Sequence, residues 1–297
     1  MSILNRASDG LLSVLLALRR ALLAYGSKTE SDLLELVAPP SVVQDGKPDM
    51  AKKTLTRWKQ LGFFSEVGGV ISLGPTIASI PVENLHGVRS AILRLVLAPE
   101  NNSALLADGG DDAEISKAED LTRALAWALA QDPYTFPATY KGGESLQREQ
   151  GVQPTVFTND TRWNGFAEWA VFLGVVWTAG SRSLVPSPAF AVRSVLSDVF
   201  LGAAELSQGD FFARLAALLP IVDGGNFRTT VDAQITRPRY KQLPNQVSPT
   251  LSAALLTLEA EGTLRLEARS DAPNRILLGA AGRELHSLSH VLRLGTA

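Results

Sequence analysis

The chain has 297 residues, 45% of them apolar and 20% charged, with 24 Gly and 16 Pro, a composition that excludes a disordered or collagenous chain. Twenty-eight Lys and Arg stand against 30 Asp and Glu, a formal charge of −2, so any hold on nucleic acid must come from a local basic patch. Cys is absent, which removes disulfide scaffolds, zinc ribbons, thiol nucleophiles and iron–sulfur clusters.

The apolar run at residues 11–18 is broken by Arg19 and Arg20, short of the roughly 20 residues that cross a bilayer. That pair also stands where a secretory signal needs its small-residue cleavage site. The apolar spacing continues through Leu22, Leu23 and Tyr25, so the segment reads as a helix of a cytoplasmic protein with no membrane contact. Ser8 or Asp9 caps it, Leu12, Leu15, Leu16, Leu22 and Leu23 form its buried stripe, and Gly26 ends it.

Thr29-Glu30-Ser31-Asp32 opens a second helix through Leu33, Leu34, Leu36 and Val37, stopped by Pro39-Pro40. Asp49 caps a third, with Leu55, Trp58 and Leu61 on one face and Gly62 at its end. Residues 63–66 and 70–73 then flank Gly68-Gly69, the signal of a tight hairpin. Three helices followed by a hairpin is the order of a winged helix-turn-helix.

The punctuation of Leu61-Gly62-Phe63-Phe64 returns in Leu173-Gly174-Val175-Val176, followed by a turn at residues 179–183, the run Leu184-Val185-Pro186 and a helix over 190–201. A third instance starts at Ser248-Pro249, carries Leu251, Leu255, Leu256 and Leu258, and ends at Gly262. There, residues 263–267 and 275–278 are expected to pair around a longer wing at 268–274. Between the first two, residues 98–120 read as an exposed acidic loop containing Asn101-Asn102, Asp108, Asp111, Asp112, Glu114 and Asp120. A helix over 116–131 with Leu121, Leu125 and Trp127 follows, then an irregular stretch to Pro154. Either this helix or one over 85–97 would open the second module. The expectation is a mainly α protein with small β-wings, built as tandem winged helix-turn-helix modules. Module 1 occupies 1–80, a helical connector 81–157, module 2 158–205 and module 3 206–297.

The sharpest chemical feature is the third helix of module 1. Lys52, Lys53, Thr56, Arg57 and Lys59 lie together with no acidic residue among them and turn away from Leu55, Trp58 and Leu61. In a helix-turn-helix this helix enters the major groove, where cations meet phosphates and purine edges, so the expected partner is double-stranded DNA. A second basic stretch, Arg237, Arg239 and Lys241 around Pro238 and Tyr240, suits a phosphate chain or a stacked base, with Arg269 and Arg275 of the third wing beside it. A surface loop in salt bridges to a partner protein is an equal reading of that stretch.

His286 and His290 are four apart on what reads as a C-terminal helix, a metal-compatible spacing, but the chain offers only His86 besides and no Cys. Two exposed helix histidines are the plainer reading, and no metal or cofactor is expected. The five Trp are read as core or module-interface residues. No phosphate loop, nucleophile elbow or convergent catalytic group is visible, so no enzyme activity is expected.

The opening Ser2-Ile3-Leu4-Asn5 with Ser8-Asp9-Gly10-Leu11, and Lys53-Thr54-Leu55-Thr56-Arg57-Trp58 leading into Leu61-Gly62-Phe63-Phe64, resemble the start of DpdG proteins. These are encoded in bacterial clusters that place 7-deazapurine derivatives in DNA and restrict unmodified DNA. The resemblance implies a non-catalytic component working beside helicase, ATPase and nuclease subunits in antiviral defence; it carries no binding residues over to this chain. Two functions follow. The first is a DNA-recognition subunit. The other is an adaptor whose modules hold partner proteins without touching DNA, which the net charge of −2 favours.

Overall fold

The computed structural model describes residues 3–4, 10–39, 49–106, 117–180, 183–240 and 242–295. Helices dominate and the sheets are small, the largest having three strands. The chain divides into two compact units, one formed by residues 1–122 and 159–169, the other by 123–158 and 170–297. Ser8 and Asp9 lie outside the described residues.

The first unit opens with α1 (Leu12–Tyr25), β1 (Lys28–Thr29), α2 (Glu30–Val37), α3 (Asp49–Gln60), β2 (Phe64–Val67) and β3 (Val70–Leu73). Leu11 is the N-cap residue of α1, and Gly26 leaves the helix at φ +73°. Thr29 caps α2 as expected, its hydroxyl accepting from the Asp32 N–H at 3.2 Å. The hairpin turns at Gly68 and Gly69, both at positive φ, and pairs Phe64 with Leu73 and Val67 with Val70. β1 adds to its far side, giving the order β1-β3-β2. Leu15, Leu33, Leu55, Trp58, Phe63 and Ile71 are fully buried between helices and sheet, each contributing about 1.5–3 kcal/mol of apolar burial. Arg19 does more than interrupt an apolar run. It is buried, and its Nη2 donates to the carbonyls of Ile80 and Pro81 at 2.6 and 2.9 Å.

After α4 (Pro75–Ala78), which still falls within residues 1–80, the connector holds α5 (Leu85–Val96), α6 (Ser103–Leu106), α7 (Glu119–Leu129) and α8 (Tyr140–Glu149). Residues 98–120 are not all exposed loop. Asn101 and Asn102 are buried, their amides donating to the carbonyls of Leu95 and Val96 at the end of α5, and buried Asp120 accepts from the Leu4 N–H at 2.7 Å. Asp108, Asp111, Asp112 and Glu114 lie outside the described residues. α8 falls in the stretch read as irregular. Its Gly142-Gly143 masks the helical pattern, which the Thr139 cap initiates.

Next come α9 (Asp160–Phe172), β4 (Val176–Ala179) and β5 (Ser183–Pro186), a hairpin with no third strand among the described residues. Trp58, Trp127, Trp163 and Trp169 are buried, but Trp177 on β4 is 53% exposed, against the core expectation. The rest of the second unit runs α10 (Ala189–Phe200), β6 (Glu205–Ser207), α11 (Gln208–Leu218), α12 (Asn226–Gln234), β7 (Gln246–Val247), α13 (Pro249–Ala260), β8 (Leu264–Glu267), β9 (Arg275–Leu278), β10 (Glu284–Leu288) and β11 (His290–Arg293). The expected wing between residues 263–267 and 275–278 does not form. β8 pairs with β11, while β9 joins β10 and β7 in another sheet. The resulting order, β6-β11-β8, repeats β1-β3-β2, with Ser207 capping α11 as Thr29 caps α2. His286 and His290 therefore sit on two strands of different sheets, and the expected helical pair does not exist.

Each of α3, α9 and α13 ends in the same way. Phe63, Val175 and Thr263 donate back to Trp58, Ala170 and Leu258 at 2.9–3.0 Å, across Gly62, Gly174 and Gly262 at φ +86°, +72° and +69°. This is the left-handed helix stop that glycine adopts without strain. A Cβ on Gly262 meets open space and one on Gly62 makes only an ordinary contact with Leu95 at 3.8 Å, whereas one on Gly174 lies 2.6 Å from the Phe190 ring. Gly62→Ala and Gly262→Ala should each cost about 1–2 kcal/mol from backbone strain alone. Gly174→Ala should cost about 1–3 kcal/mol more by overpacking. Denaturant titration followed by circular dichroism gives the order, and equal losses at Gly62 and Gly174 would refute the close Phe190 contact.

Candidate nucleic-acid interface

α3 is fixed by its apolar side. Trp58 lies edge-on to Phe63 with centroids 5.7 Å apart and tilts against Trp169 of α9 at 5.1 Å. What remains outward is a narrower basic face than the sequence implied. Lys52 is 62% exposed and Thr56 is exposed, while Lys53 is half-buried. Arg57 departs from the expected outward row. It is 4% exposed, and its Nη1 donates to Gln60 Oε1 at 2.9 Å. The apolar stripe of α3 is wide enough to include position 57, next to buried Thr54 and Trp58.

The acid-free run of α3 acquires acids from its neighbours in space. Lys59 Nζ lies 3.3 Å from Glu30 on α2 and 2.8 Å from Glu66 on β2, and Lys52 approaches Glu30 at 3.5 Å. Burial pulls the Lys59 ammonium down, but the hydrogen bonds to Glu66 and Glu30 outweigh it and hold the group above the usual lysine value of 10.5. The structure thus brings Lys52 and Lys59 together around Glu30 and leaves Lys52 and Thr56 exposed, with Lys53 half-buried beside them. Neither glutamate was singled out from sequence. The signal was faint: Glu30 is in the first turn of the helix preceding α3, and Glu66 is on the strand that follows it.

In the second unit, Arg237 is exposed and its backbone N–H donates to the Gln150 carbonyl at 3.2 Å. Arg239 is exposed but pairs with Glu149 of α8 at 3.3 Å. Lys241 lies outside the described residues. Arg269 is held by Glu205 through both terminal nitrogens at 2.7 Å and by Glu267 at 2.9 Å. Arg275 bonds Gln208 Oε1 at 2.8 Å and stacks 4.8 Å over the Phe212 ring. These two arginines tie β8 and β9 to β6 and α11. Among the described residues, no group of three or more His, Cys, Asp or Glu is placed to hold a metal ion, and no helix is long and apolar enough to cross a membrane.

The family described as DpdG-like matches residues 1–272, and the chain belongs to that family. Membership suggests involvement in a Dpd-type modification system, the kind that places 7-deazapurines in DNA. No curated protein and no solved structure matches the chain.

The Lys59 cluster makes a prediction with a definite sign. A lysine held above its unfolded pKa stabilises the fold fully below that value and loses the contribution as pH rises through the folded one. Wild type should therefore be more stable than Lys59→Met at pH 7, with the difference shrinking once pH passes about 10.5. Thermal melts of both proteins from pH 7 to 11 read it directly; a difference constant across that range would refute the clamp.

Proposed function

We propose that the first repeat is a winged helix that lays α3 against double-stranded DNA, and that the chain is a non-catalytic DNA-recognition subunit working beside helicase, ATPase or nuclease proteins of a defence system. The observation that carries this reading is exposed Lys52 and Thr56, with Lys53 half-buried beside them, on the third helix of a helix–strand–helix–helix–hairpin unit with sheet order β1-β3-β2. That is the position from which a helix-turn-helix reads the major groove. The third repeat has the same sheet order, but its equivalent helix α13 carries no Lys or Arg and buries Thr250, Leu251, Ser252, Ala254, Leu255 and Leu258. It offers nothing to phosphate and acts as scaffold. Few open cations mean modest affinity, steep in salt and weak in sequence choice.

An adaptor function without DNA draws support from the Glu30 and Glu66 partners of Lys59 and from Val67 and Val70 standing exposed at the hairpin tip. Binding measurements separate the two. Fluorescence anisotropy of a labelled duplex should show salt-dependent affinity, and Lys52→Glu with Lys53→Glu should weaken it by about tenfold or more while flattening the salt slope by about two phosphate contacts. Glu30→Gln should strengthen binding severalfold by releasing Lys52 and Lys59. No salt-dependent binding, or binding unchanged in the double variant, leaves the adaptor function.

A further inference from the structure

The first unit contains a cavity of about 220 Å³ where α9 meets residues 3–4 and 10–11. Its apolar lining comes from Ile3, Leu4 and Trp169, all buried, and from half-buried Leu11. Trp169 is fixed in place, its indole N–H donating to the Gly10 carbonyl at 2.9 Å. The polar lining is one row of α9, with exposed Thr161, Asn164 and Glu168 at i, i+3 and i+7 on a single helix face. Gly165 stands in the same row and contributes no side chain; a Cβ there would lie 3.3 Å from Leu4 Cδ2. Among the described residues, Glu168 is the one charged group lining the cavity, and no hydrogen bond or ion pair reaches it. Although the residue is exposed, its surroundings withdraw enough water to push the carboxyl above its ordinary value of 4.5, and no cation pulls it back.

A carboxylate drawn part-way out of water with nothing to pair it carries a desolvation cost that a bound cation offsets and a bound anion worsens. The volume lies below the roughly 300–1,000 Å³ of sites that enclose a whole small molecule, so the cavity suits a group of side-chain size. One carboxylate calls for one positive charge, and the apolar lining calls for a methylene stem behind it. We propose that this cavity seats a single lysine side chain of a partner protein. The ammonium meets Glu168 and, one helical turn away, the Asn164 amide oxygen, while the stem lies along Leu4, Leu11 and Gly165. Among the described residues, none of α3 lines the cavity, and the inference does not depend on the DNA-binding role of that helix.

The test is an NMR titration of the full chain, labelled at the indole nitrogens, with N-acetyl-lysine methylamide at constant ionic strength. The assigned Trp169 indole signal should shift and saturate in the millimolar range, because Trp169 lines the cavity. The norleucine analogue keeps the stem and lacks the charge; it should bind at least about tenfold more weakly. Glu168 holds nothing in the fold together, so Glu168→Gln should keep the wild-type circular dichroism spectrum and lower the lysine affinity by about tenfold. Capped arginine and the free diamine putrescine should bind no better than capped lysine, since the lining offers one carboxylate. Absence of any shift at tens of millimolar overturns the proposal, as does equal affinity for the norleucine analogue or an unaffected Glu168→Gln. Tighter binding of arginine or of putrescine overturns the choice of lysine and gives the cavity to that cation instead.

Discussion

Everything in this molecule turns on one hydrogen bond made three times, the amide three residues beyond a helix reaching back to a carbonyl in its last full turn. Phe63 to Trp58, Val175 to Ala170 and Thr263 to Leu258 each span a glycine at positive φ. The bond satisfies a carbonyl that the helix would otherwise leave open and leads the chain into a strand within three residues. In the first repeat it also drives Phe63 edge-on against Trp58, so the device that ends the helix starts the core. Once the strand direction is set, the hairpin and the outward face of α3 follow.

The same compactness limits the basic helix. A helix packed against α1, α2 and β2 meets their acids as well as their apolar side chains, and Glu30 and Glu66 occupy the edge where Lys59 emerges. Of the three lysines, Lys59 is drawn between two glutamates, Lys52 approaches Glu30 and Lys53 is half-buried. In the second unit the pairing goes deeper, with Arg228 enclosed by Asp223 and Asp232 while Asp223 also accepts from the Ser248 N–H at 2.6 Å, holding the start of α13. A charge buried this way is kept only with its partners, because removing one strands the others.

The local parts of this architecture were legible in the residues. Gly62, Gly174 and Gly262 marked the helix stops, Thr29 and Ser248 marked helix starts, and Gly68-Gly69 marked the tight turn, because caps and turns are decided by neighbours in sequence. What failed to show was non-local. Residues 275–278 lie a hairpin's distance from 263–267 and have the right alternation, yet β8 prefers β11, which aligns over four residues and brings in β6 as well. The histidine spacing looked helical because a period of four also fits two short strands joined at Ser289. Burial of Arg57, the pairing of Lys59 and the enclosure of Arg228 are set by elements that meet only after folding, and no periodicity within one helix encodes them.

The position of β11 has a further consequence for how the chain is made. The first sheet closes with Leu73, from strands separated by a two-glycine turn, so it can assemble while the rest is still being synthesised. In the last sheet β11 is the middle strand, and β6 and β8 have no other partner there. Those two strands must wait, edges bare, until residues 290–293 leave the ribosome. The interval is a window for mispairing that the β7-β9-β10 sheet shortens by gathering the intervening chain into ordered structure of its own.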